Sequence, residues 1–224
     1  MNQVTDQQII EILRKEAVPA LGCTEPVACA LACAKCKEVL GSVPERLDVL
    51  VSGNIYKNGM GVGIPGTGMV GLPIAAALGA VCGKSEYGLE VLKEVNVGDN
   101  LQRAKDMLGQ VTVSLKEDAP DKLYAEALAT KGNDTVKVII AHTHTNIVLV
   151  EKNGEEIFKR EFRLDTSKPE DKGPELSVKR IWDFVHEVDV KDIEFVLQGA
   201  EMNKAISAEG LNSEYGLQIG KTLK

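Results

Sequence analysis

A chain of 224 residues, 44% hydrophobic and 26% charged, holds enough apolar material for one sizeable core or two small ones, in the proportions of a soluble globular protein. A net charge of −7 without a Lys/Arg stripe argues against a nucleic-acid partner, and apolar runs broken by Gly, Pro or charge predict no membrane span. The first residues carry no basic region followed by an apolar core, so they do not read as a secretory signal. Five cysteines (Cys23, Cys29, Cys33, Cys36, Cys82) are an odd set, which points to a reducing, cytoplasmic setting with free thiols or metal ligands.

Thr5-x-x-Gln8 is a capping-box pattern that opens a first helix with Ile9, Ile10 and Leu13 on its apolar stripe. After Pro19 and Gly22 comes Gly22-Cys23-Thr24-Glu25-Pro26. Thr24 reads as the N-cap of a second helix over 24–40, with Glu25 and Pro26 in its first turn and Gly41 closing it. Two readings of Cys23 follow: a thiolate stabilised at the helix N-terminus, able to hold a metal, or a small residue packed at a helix entrance. Cys29, Cys33 and Cys36 fall on one helical face. A single CxxC inside a helix is weak evidence for zinc and lacks the strand-to-helix setting of a redox pair, so packing is the expectation for all three.

Residues 46–52 alternate as a short strand, and a glycine-rich stretch runs from Gly53 to Gly68. Gly61-x-Gly63-x-x-Gly66 matches the dinucleotide fingerprint as a string alone, because Pro65 and a long loop stand where a helix should open; no Lys-Ser/Thr follows for a phosphate loop. The stretch reads as a binding loop whose polar groups are Asn54, Lys57, Asn58 and Thr67, with backbone N–H groups suited to a carboxylate; a purely structural connector is the alternative. Pro73 opens another small-residue helix, 74–81, with Cys82 structural at its end. Two short helices follow, at 87–94 and 99–108.

From Gln110 the period turns to two. Strands are expected at 111–116, 123–130, 135–151 and 155–163, with turns at Gly132-Asn133-Asp134 and Lys152-Asn153-Gly154. The third is long and central. Its even positions place His142, His144 and Asn146 on one apolar face, which is costly unless these groups are hydrogen-bonded or used for proton transfer. Residues 166–174 read as a loop. Val178, Ile181, Trp182 and Val185 form a helical stripe, with His186 near that helix's end, and Asp189 caps a last helix running to Gly210 with Ile193, Val196, Leu197 and Ala200 inward. The last residues, from Tyr215, resemble a helix just under way. The fold class is α+β: helices rich in small residues plus a roughly four-stranded antiparallel sheet that forms a subdomain at 110–165.

Three segments together, Gly22-Cys23-Thr24-Glu25-Pro26-Val27-Ala28, Ser52-Gly53-Asn54-Ile55-Tyr56-Lys57-Asn58-Gly59 running on to Gly63-Ile64-Pro65-Gly66-Thr67, and His142-Thr143-His144-Thr145-Asn146, resemble the L-cysteine desulfidase group of the iron–sulfur-dependent serine dehydratase α-type superfamily. The resemblance spans nearly the whole chain, and members run to about twice its length, so it implies that 1–224 is an N-terminal half whose partner is the missing C-terminal half. It implies a PLP-independent lyase that converts L-cysteine to pyruvate, ammonia and sulfide with a [4Fe–4S] cluster. Cys23 matches the N-terminal cluster cysteine, the other ligands being expected in the C-terminal half. The resemblance does not single out the base for the Cα proton; His144 is the first choice and Lys57 the second. Thr24, Glu25, Asn54, Asn58, Gly59, Thr67 and Asn146 are the expected substrate-binding residues. A homo-oligomer is compatible with this reading. Two other functions stay open: an L-serine ammonia-lyase, and a metal-free module that binds a small acid through the glycine loop.

Overall fold

The structure is a computed structural model that describes residues 4–160, 176–214 and 218–224. In chain order its elements are α1 (Asp6–Glu16), α2 (Thr24–Leu40), β1 (Arg46–Val51), α3 (Gly53–Gly59), β2 (Gly63–Ile64), β3 (Met69–Val70), α4 (Leu72–Val81), a 3₁₀ segment (Ser85–Glu90) and α5 (Asn100–Met107). There follow β4 (Val111–Leu115), β5 (Tyr124–Lys131), β6 (Asp134–Ala141), β7 (Ile147–Lys152), β8 (Glu155–Lys159), α6 (Val178–Glu187), α7 (Val190–Ile193), α8 (Phe195–Asn212) and α9 (Ile219–Leu223). The chain divides into a unit of residues 20–165 and a unit of residues 1–19 with 166–224. Helices with a sheet bear out the α+β expectation.

The larger unit is built around α2. Alanine and cysteine cover it on every side, and residues 26–34 together with Cys36 are buried. A helix without bulky side chains gains its stability from close approach to its neighbours, α4, β5 and β6. Gly79 of α4 lies where an added Cβ would collide with the Ala30 carbonyl, so the α2–α4 crossing is backbone against backbone. On the other side the Cys36 thiol donates to the Ala127 carbonyl at 3.5 Å, which seats α2 on β5. Burial pushes the Cys29 thiol up to about 12 and the Cys33 and Cys36 thiols well above their ordinary value. The packing role expected for these three cysteines holds.

The sheet has six strands in the order β4-β1-β5-β6-β7-β8. β1 is parallel to β4 and antiparallel to β5, so the sheet is mixed where a four-stranded antiparallel one was expected. It draws β1 from residues 46–51 and therefore is not confined to 110–165. Val49, Ala127, Val138 and Val150 pair in one row across four strands and are all buried. Alanine on β5 leaves room for α2, while each buried Val or Ile contributes about 1.5–3 kcal/mol relative to exposure.

Two expectations fail here. The long strand over 135–151 is two strands, β6 and β7, with residues 142–146 forming the turn between them. His142 stands in the left-handed region (φ 69), which breaks the alternation, so the histidines and Asn146 do not share a strand face. The Asn146 amide donates to the Ala141 carbonyl at 2.9 Å and closes the turn. Polar residues that would be costly in the middle of a sheet are placed at its rim instead. The start of the glycine-rich stretch is likewise a helix, α3, in place of a loop.

In the smaller unit the capping box is present: Gln8 N–H donates to Thr5 Oγ1 at 3.3 Å and Thr5 N–H to Gln8 Oε1 at 2.9 Å. Val4, Ile9, Ile10 and Phe184 form its core, and Arg180 donates to the Val4 carbonyl at 2.6 Å. The apolar stripe expected on this helix is present on α6 and is exposed, Val178 by 85% and Trp182 by 65%. His186 Nδ1 meets the Trp182 carbonyl at 2.8 Å. Asp189 caps the short α7, not the long helix, and Val196 and Leu197 of α8 are exposed. The expected loop at 166–174 and the strand end at 161–163 lie outside the described residues. Among the described residues no helix is long and apolar enough to cross a membrane.

Candidate functional site

Cys23, one residue earlier than expected, is the N-cap of α2, and Thr24 and Glu25 occupy the first turn. The Cys23 thiol donates to Glu25 Oε2 at 2.7 Å, and Asn58 Nδ2, from α3, donates to Glu25 Oε1 at 3.1 Å. Both carboxylate oxygens are thus engaged. Next to Glu25, Thr24 Oγ1 lies 3.1 Å from His144 Nε2 on the β6–β7 turn, 120 residues along the chain. Three distant segments (22–25, α3 and 142–146) therefore meet at the N-terminus of α2.

The electrostatics differ from those of an exposed helix-terminal thiolate. Burial raises the Cys23 thiol, as do its hydrogen bond to Glu25 and the Glu25 charge, and together they outweigh the backbone N–H groups at residues 24 and 25 that favour the anion. In this arrangement the thiol form is favoured over the thiolate, with its proton donated to Glu25. The Glu25 carboxyl is held below the usual carboxylate range, first by the Cys23 thiol and then by Asn58, against the pull of burial. Burial lowers His144, with the Glu25 charge opposing. Burial thus favours its neutral form, and in the Nε2–H tautomer the ring donates to the Thr24 hydroxyl oxygen and keeps its lone pair on Nδ1.

The remaining expected residues separate from this cluster. Lys57 is exposed on α3. Asn54 lines a different cleft of about 330 Å³, with Ser52, Lys116, Asp121 and Lys122. Gly59 is buried against the Leu72 side chain, where a Cβ has no room. Thr67 is buried, donating to the Ile64 carbonyl at 2.6 Å and accepting from Met69 N–H at 2.9 Å. It closes the β2–β3 hairpin. Asn146 holds its turn and accepts from Arg160. The glycine stretch thus contributes one residue, Asn58, to this cluster. Asp121 went unread in the sequence: it pairs with His142 at 2.7 Å, and nothing in its loop position signals this.

A [4Fe–4S] cluster is held by several thiolates, classically four. Here Cys23 is the one cysteine at the site, and Cys29, Cys33 and Cys36 are fully buried inside the α2 packing. Among the described residues no group of three or more His, Cys, Asp or Glu is placed to hold a metal ion. The residues of this chain by themselves do not fit the cluster.

The chain is 45% identical to a UPF0597 protein of Parabacteroides distasonis over 229 residues, covering 100% of this chain and 52% of the relative. It is 44% identical to a UPF0597 protein of Phocaeicola vulgatus, covering 97% of this chain and 51% of that protein. A UPF0597 protein of Dichelobacter nodosus is 45% identical, with 99% and 52% covered. The chain thus spans about half the length of the curated relatives it matches. No family model matches it. No solved structure matches it.

Proposed function

We propose that this chain supplies the proton-handling part of a PLP-independent lyase that converts L-cysteine to pyruvate, ammonia and sulfide. The observation that carries this reading is the meeting of a neutral imidazole, His144, with Thr24 beside the Cys23–Glu25 pair. In the elimination, His144 Nδ1 takes the Cα proton of the substrate, the Cα–H electrons form the Cα=Cβ bond, and the Cβ–S bond breaks with sulfide leaving. The aminoacrylate tautomerises to an imine, and water releases pyruvate and ammonia. Thr24 orients the imidazole, and a neutral base near pH 7 suits the step. Lys57, exposed and outside the cluster, falls behind His144 as the base.

The site offers one thiol, Cys23, and the other ligands of a cluster would come from the part of the relatives' length that this chain does not span. The protein made at its relatives' length, under anaerobic conditions with iron and sulfide, is expected to release sulfide from L-cysteine faster than ammonia from L-serine. His144→Gln should lower that rate by about 10²–10⁴-fold, the range for a general base. Preference for L-serine would move the reading to a serine ammonia-lyase, and an unchanged rate in His144→Gln would remove His144 as the base.

The shortage of ligands favours a second reading for the chain in isolation, a metal-free module that binds a small acid. Thermal stabilisation of this chain by millimolar L-cysteine or pyruvate would support it.

A further inference from the structure

His142 is a non-glycine residue held at φ 69, two residues before His144. The left-handed region costs a branched or bulky residue on the order of 1 kcal/mol, so something must hold it there. Alongside the Leu123 carbonyl, which also accepts the His142 N–H at 3.3 Å, Asp121 holds it there. Its Oδ2 accepts the His142 backbone N–H at 2.9 Å and lies 2.7 Å from His142 Nδ1. Its Oδ1 accepts Leu123 N–H at 3.3 Å, tying the carboxylate to the start of β5. One partly buried side chain thereby clamps both the backbone and the ring of the residue that begins the turn. Asn146 closes the other end at the Ala141 carbonyl. His144 projects from between these two anchors to Thr24.

We propose that Asp121, acting through His142, is a positioning residue for His144: the clamp sets the turn that places His144 Nε2 against the Thr24 hydroxyl. Its catalytic consequence rests on His144 being the base of the proposed lyase, whereas the positioning itself does not. Without the clamp the turn can relax to other conformers, and a misplacement of about 1 Å is enough to cost about 10²-fold in rate.

The chain has three histidines, His142, His144 and His186, so ¹⁵N-labelled imidazoles can be assigned one by one. In the wild-type chain His144 should show a single tautomer with a hydrogen-bonded Nε2; Thr24→Val supplies the reference spectrum of a released ring. Asp121→Ala should move His144 to that released spectrum. His142→Gly is the second variant, because glycine accepts φ 69 without strain and the fold is retained while the ring contact to Asp121 is lost; it should release His144 as well. His142→Asn, which tolerates the left-handed region and offers an amide donor to Asp121, should restore the wild-type spectrum. In the protein at its relatives' length, Asp121→Ala should lower kcat about tenfold or more with KM within twofold. A wild-type His144 spectrum in both folded Asp121→Ala and His142→Gly overturns the proposal. Absence of wild-type turnover would count against the lyase reading alone and leave the spectral result to decide the positioning.

Discussion

The thiol of Cys23 gives its hydrogen bond to the carboxylate of Glu25, two residues on, at 2.7 Å. The helix N-terminus pulls toward a thiolate and the carboxylate pulls against it, and with burial added the thiol form wins. Metal binding at Cys23 would have to displace this proton and leave Glu25 to another partner.

Alkylation measures this balance. With Glu25→Gln both the acceptor and the negative charge beside Cys23 are removed, so its thiol should ionise at lower pH. Iodoacetamide should then modify Cys23 at pH 7.5 about threefold faster or more than in the wild-type chain, followed by mass spectrometry of the 23-containing peptide. Slower alkylation in Glu25→Gln would show that Glu25 is not what protects the thiol.

The His144 ring should titrate below the usual imidazole value, because burial disfavours its charged form. The sign is that of a depressed folded-state value: the unfolded chain binds the proton first, so the stability contributed by neutral His144 is full above about pH 6.5 and falls as pH drops through the depressed value. Glu25→Gln removes the opposing charge and should lower the titration further. NMR titration of the His144 ring in both proteins checks the order.

Lys57 and His144 are separable by substitution. Lys57→Ala changes an exposed side chain and should leave both melting temperature and turnover within about twofold, whereas His144→Gln should abolish most turnover with little loss of stability. A large rate loss in Lys57→Ala alone would exchange their roles.

Gly79→Ala tests the core. The added methyl meets the Ala30 carbonyl, and backbone cannot step aside as a side chain can. We expect a loss of about 3 kcal/mol or more in urea unfolding, at the upper end for overpacking. The exposed Gly109→Ala, with nothing near its Cβ direction, should change stability by less than about 1 kcal/mol.

Much of the local structure was legible in the residues themselves. The α1 capping box, the buried cysteines of α2 and the left-handed Asn153-Gly154 turn are set by contacts within a few residues, so spacing and side-chain type suffice to find them. The elements of the site were partly legible too: Cys23, Thr24, Glu25, Asn58 and His144 were all marked. Asn54, Thr67, Gly59 and Asn146 share the same polar or glycine character and lie outside this cluster, since character alone does not say which way a side chain points.

The tertiary structure decided the rest. Residues 135–151 form two strands, and the turn between them is contacted at His142 by Asp121, from a loop 21 residues earlier. The place of β1 in the sheet depends on pairing with β4 and β5, both more than 60 positions away at the paired residues. The state of the Cys23 proton depends on the burial around it and on a carboxylate held in place by Asn58 of α3, 33 residues from Glu25. Each is a contact between parts of the chain that no local pattern relates, which is why composition and spacing could name the residues of this site but not their partners.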